Sequence, residues 1–169
     1  MTQLSLGALS FLYHVAYMKT LLNARDKEEI IARLQAVHPT SPRLGGNMTA
    51  HQMVCHLTDG FRMYMGQKTV RPVPVPYPRS LVKWAALWAP MPWPKGFKTA
   101  PELDQQAGGT PPVEFENDLR ELMSLVDRFT RQPRDFHWQP HPQFGQMSDR
   151  EWMRLAYLHM DHHLRQFGA

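Results

Sequence analysis

The chain is poor in the residue that most often staples or metallates small proteins. Its 169 residues include one cysteine, Cys55. No internal disulfide can form, and cysteine zinc ribbons and c-type haem attachment, which need at least two cysteines, are excluded. Long hydrophobic runs are also missing. The longest stretch free of formal charge, residues 1–18, is interrupted by Thr2, Gln3, Ser5, Ser10 and His14. It is too polar for a membrane span. It has no basic leader and no convincing small-residue cleavage site, so it reads poorly as a signal peptide. The expectation is a cytoplasmic protein with no membrane partner. Residues 1–17 read as an N-terminal extension ahead of a second candidate start at Met18, and residues 18–169 as one domain.

Several catalytic signatures are absent. There is no G-x-x-x-x-G-K-[ST] or G-x-G-x-x-G to cradle phosphates, and no G-x-S-x-G nucleophile turn. No Glu-x-x-His occurs, which removes the ferritin-like di-iron bundle. The net charge is only +4 and no run of basic residues occurs. With no helix-turn-helix signature or basic–aromatic platform, nucleic acid is an unfavoured partner.

What is present is an ordinary globular composition, 43% hydrophobic and 20% charged, with fifteen Pro, eleven Met and nine His. A chain of this length buries roughly 70% of its unfolded surface and needs no staple to fold. Five segments carry helical patterns: 26–37, 49–65, 80–89, 112–131 and 148–167. Thr49-Ala50-His51-Gln52 and Ser148-Asp149-Arg150-Glu151 read as capping boxes. Pro111-Pro112 reads as a helix entrance, and Gly168 as a stop. The stretch 70–78 (VRPVPVPYP) alternates like a strand, but its prolines cannot donate to a ladder, so it reads as extended polyproline-type loop. With Pro90, Pro92 and Pro94 it makes residues 66–110 a long, stiff connection. The fold expected is all-α: an up-and-down four-helix bundle with this proline-rich connection between its second and third core helices.

The histidines sharpen that picture. On the last helix, His159 and His163 are four apart and stack on the face that carries Trp152, Leu155, Ala156 and Met160. His162 groups with the charged face and is set aside as a ligand. On the second helix, His56 lies on the flank of the apolar side, whereas His51 lies roughly opposite. Three neutral imidazoles meeting inside a bundle would form a half-open metal site, suited to zinc and also to nickel, iron or copper. The competing reading is three hydrogen-bonded core histidines. His159-Met160-Asp161-His162-His163 has the spacing of H-E-x-x-H, but Met160 stands in the place of the catalytic Glu, so a metalloprotease is excluded. Cys55 reads as an ordinary, partly buried cysteine. His141, in the loop before the last helix, is a candidate proton shuttle or substrate contact, against idle loop packing. Arg62 and Arg165, with His141, are candidates for an anionic group.

These residues also carry a resemblance. Met48-Thr49-Ala50-His51-Gln52-Met53-Val54-Cys55-His56-Leu57 resembles the second-helix motif of the DinB/YfiT-like superfamily. Residues 98–102 (KTAPE), 141–145 (HPQFG), Glu151-Trp152 and 159–168 (HMDHHLRQFG) resemble an uncharacterised branch of it. The similarity covers about residues 18–168. It implies a four-helix bundle, frequently dimeric, with one divalent ion on His56, His159 and His163. Relatives include transferases and isomerases that use low-molecular-weight thiols, and others described only as metal-dependent hydrolases. The resemblance thus implies a metalloenzyme acting on a small-molecule substrate as a homodimer, with zinc, nickel or iron and a thiol cosubstrate or water. The alternative is a non-enzymatic binding module with a structural or vestigial metal site, associated with a protein or a nucleic acid.

Overall fold

The computed structural model describes residues 18–89, 93 and 99–169. The expected extension at residues 1–17 lies outside these, as do Pro90, Pro92, Pro94 and Lys98. The described residues form five α-helices and no strand: α1 (Ala24–Gln35), α2 (Ala50–Tyr64), α3 (Arg79–Trp88), α4 (Phe115–Thr130) and α5 (Asp149–Leu164). Single turns of 3-10 helix cover Pro101–Leu103 and Arg165–Phe167.

Local chemistry sets the ends. Both expected capping boxes form: Thr49 accepts from Gln52 N, and Ser148 from Glu151 N, with each N3 side chain returning to the cap. Asn23 accepts from Arg25 N and Asp26 N, so α1 begins two residues before its expected start. The entrance to α4 differs from expectation. Glu114 is the cap, and the Asp118 carboxylate accepts from Val113 N at 3.1 Å, which keeps the chain out of the helix until Phe115. Beyond α5, Gly168 adopts φ +73°, a left-handed stop that other residues enter only with strain.

The helices share one core. On α4, Phe115, Leu119, Leu122, Val126 and Phe129 recur at steps of four and three and are buried. This face packs along α2. The α1, α2 and α3 helices each pack on α5. Trp152 on α5, Phe61 on α2 and Phe129 on α4 are fully enclosed, and each such side chain contributes about 1.5–3 kcal/mol of burial. Two ion pairs tie α1 to its neighbours, Lys27–Asp127 on α4 and Arg33–Asp161 on α5.

The long connection is anchored at defined points. Residues 70–78 run without helix or strand, and Val73 N donates to Pro142 O at 3.1 Å. Helix α3 buries Leu87, whose carbonyl accepts from the Arg154 guanidinium. Asp59, fully buried on α2, accepts from Thr110 N and Thr110 Oγ1 at 2.7 Å each and from Gln105 Nε2 at 3.0 Å, and pairs with Lys68 at 2.9 Å. One carboxylate thereby ties the end of the connection to the central helix.

Candidate metal centre

His56 comes from α2, and His159 and His163 from successive turns of α5. Their candidate ligand nitrogens lie within 4.8 Å of one another. Gly60 permits this approach, because a Cβ there would meet His159 Cε1 at 3.3 Å. Mid-helix glycine costs about 1 kcal/mol against alanine, and close packing of the imidazole is the structural reason to keep it.

Each ring is held from its far side. His56 Nδ1 lies 2.8 Å from Leu103 O in the 3-10 turn of the connection. Since a carbonyl only accepts, Nδ1 carries the proton and Nε2 offers a lone pair. His163 Nδ1 meets Gln166 Oε1 at 3.3 Å, and the amide's other end meets His162 Nε2 at 3.2 Å. His159 Nδ1 lies 3.0 Å from the Tyr64 hydroxyl. Burial keeps all three rings uncharged, pushing the pKa of His56 below the usual histidine value and those of His159 and His163 well below it. For His159 and His163 the neighbouring imidazoles add to this.

His56 Nε2 and His159 Nε2 approach to 3.0 Å. Two bare lone pairs at that distance repel. The approach is held either by a proton on His159 Nε2, with Tyr64 donating to Nδ1, or by a cation between the nitrogens. Two zinc–nitrogen bonds at a tetrahedral angle set their nitrogens roughly 3.3 Å apart. The donor set therefore fits a borderline divalent ion: three neutral imidazoles, two with Nε2 freed by an Nδ1 acceptor, and the third able to adopt the same tautomer.

The three rings line a cavity of about 740 Å³. His162 also lines it, as does Trp93, whose ring centre lies 5.6 Å from that of His162. His141 stands in the same wall. Its Nδ1 accepts from Gln143 N and Phe144 N at 3.2 and 3.3 Å, and its ring stacks on Phe144 at 4.4 Å. Arg62 and Arg165 do not line the cavity. Arg62 is committed to Glu121, Thr110 and Asp59, and Arg165 to Asp161, so the expected anion contact through them is withdrawn.

A second cluster was not anticipated. His51 Nε2 lies 2.7 Å from Asp118 Oδ2, and Cys55 Sγ donates to the same oxygen at 3.7 Å. Cys55 is more buried than the helix pattern implied, at 3% exposure. Burial and the adjacent carboxylate push its thiol up to about 12, which leaves it un-ionised and unreactive at neutral pH.

Burial lowers the pKa of His141 to about 3. The unfolded chain titrates near 6.5, so below that value it takes up a proton that the folded chain refuses. Chelator-treated protein is expected to lose stability as pH falls from 6.5 towards 3, by on the order of 2 kcal/mol at pH 5 from His141 alone. Urea midpoints at pH 7.5 and 5 should lie closer together in His141→Gln than in the wild type, with the remaining difference due to the other buried histidines; an unchanged pH slope would contradict this assignment.

No curated protein and no solved structure matches the chain. A family model described as Protein of unknown function (DUF1569) matches residues 17–169. That match takes in all five helices, the three converging histidines and the walls of the cavity, and the chain belongs to the DUF1569 family.

Proposed function

We propose that this protein is a metal-dependent enzyme of DinB/YfiT-like type. In this reading α1, α2, α4 and α5 are the four bundle helices, and α3 belongs to the long connection between the second and third of them. The observation that carries the reading is the convergence of three uncharged imidazoles within 4.8 Å at the wall of a large cavity. His56, His159 and His163 would hold the ion, with zinc or nickel favoured by the all-nitrogen donor set and iron as a further candidate. When bound, it would supply Lewis acidity and an activated water or thiolate towards an electrophilic small molecule. The chain's own residues do the rest. Leu103 O and Gln166 Oε1 fix the tautomers of two ligands, Tyr64 positions the third, and the apolar walls exclude bulk water. Untagged protein, as purified or after incubation with zinc, nickel and iron salts, is expected to carry about one equivalent of metal per chain by elemental analysis. No metal under any of these conditions would overturn the proposal.

A second reading has its own support. Tyr64 O–H to His159 Nδ1, then His159 Nε2–H to His56 Nε2, is a closed hydrogen-bond chain that satisfies these groups without an ion. It corresponds to a binding module with a vestigial site, and the metal analysis separates the two.

A further inference from the structure

The cavity is chemically one-sided. Among the described residues no Lys, Arg, Asp or Glu lines it. Its walls are apolar side chains such as Met63, Val82, Leu103 and Leu155. Tyr77 and Leu81 also line it and are 65% and 54% exposed, which gives the opening an apolar rim. A carboxylate or phosphate on a ligand would be stripped of water there without a countercharge from these walls. Away from the three converging rings, the polar residues of the lining include Thr99, Gln143, His162 and His141, and of these His141 has a fixed tautomer. Two backbone N–H groups occupy its Nδ1, so Nε2 carries the hydrogen. That Nε2 has no partner among the described residues. The ring is held by its stack on Phe144, so its donor direction is fixed.

We propose that the cavity binds an uncharged, predominantly apolar small molecule, with one acceptor oxygen, of the ketone or ester type, held by His141 Nε2–H. The volume of about 740 Å³ suits a ligand of drug-like size. This inference deepens the proposed function of the same site by naming the ligand class. It requires no ion for binding, so it can fail or stand separately.

The probes are 2-alkanones from 2-hexanone to 2-decanone, with decanoate as the charged counterpart and butylbenzene as the control lacking an acceptor. Each is titrated calorimetrically at pH 8 into protein as purified and into chelator-treated protein. Ketone affinity is expected to rise about fourfold per added methylene in both preparations. Decanoate should bind at least tenfold more weakly than 2-decanone to chelator-treated protein. His141→Phe keeps the aromatic stack and removes the donor; it should weaken 2-decanone by roughly 2–10-fold and leave butylbenzene unchanged. Ala86→Trp, which fills the cavity wall, should weaken every probe, with helix content checked by circular dichroism. Affinity independent of chain length, or decanoate equal to 2-decanone on chelator-treated protein, would overturn the ligand class. Equal loss of ketone and butylbenzene in His141→Phe would overturn the role of His141. Metal absent with the ketone series intact would overturn only the metalloenzyme reading.

Discussion

Replacing His159 by alanine is expected to take bound metal from about one equivalent per chain to less than about a tenth, while helix content stays at the wild-type level. The three imidazoles form a near-equilateral triangle, with ring centres 5.0 Å apart for His56 and His159, 4.8 Å for His159 and His163, and 4.7 Å for His56 and His163. Its loss leaves two donors, short of the three protein ligands that catalytic zinc sites use. The helix should tolerate the change, because alanine is the best helix former and Ser148 and Glu151 cap α5 independently. Tyr64→Phe is the graded companion. Burial raises the phenol pKa, so the hydroxyl stays protonated at all working pH values. In the metal-binding tautomer its oxygen accepts from His159 Nδ1–H, and its removal should weaken metal affinity by about 10–100-fold without abolishing it. Elemental analysis and a competitive chelator titration read both variants. Stoichiometric metal retained in His159→Ala would remove His159 from the ligand set.

The second large effect is on stability. Asp59→Ala should destabilise the fold by about 3–5 kcal/mol and lower Tm by roughly 10 °C or more. Asp59 is wholly buried and receives hydrogen bonds from Thr110 N, Thr110 Oγ1 and Gln105 Nε2, with Lys68 2.9 Å away. Deleting the carboxylate strands those donors together with a mostly buried ammonium. Asp59→Asn keeps the volume and part of the hydrogen bonding, and should fall between the two. A loss below about 1 kcal/mol in urea denaturation of Asp59→Ala would show that water replaces the carboxylate cheaply.

Much of this architecture was legible in the sequence because its signals are local. Capping boxes act within four residues, and both formed where Thr49 and Ser148 stand. The His159/His163 pair is visible from helical spacing alone, and the structure brings His56 to it from another helix. What was not legible depends on partners distant along the chain. The carbonyl that orients His56 lies 47 residues away, in the connection that follows α2. Arg62 read as free to meet an anion until the fold brought Glu121 to it from α4. The role of Asp59 depends on where Thr110 and Gln105 return. Cys55, read as partly buried, is enclosed because Asp118 on α4 closes over it. The late start of α4 is instead a local effect, since the Asp118 carboxylate, five residues on, claims Val113 N before the helix can.

The 3-10 turn that orients His56 has one more consequence. Leu103 both lines the cavity and lends its carbonyl to His56 Nδ1. This contact would couple the ring tautomer to the wall position, so that a cavity ligand and an ion on the imidazoles, if both bind as proposed, share it. A guest that displaces the turn releases the Nδ1 proton from its acceptor and weakens the Nε2 lone pair; one that seats against Leu103 reinforces it. By reciprocity, in the proposed reading an ion on the imidazoles would favour the matching wall position by the same free energy, linking the two binding events through one peptide carbonyl.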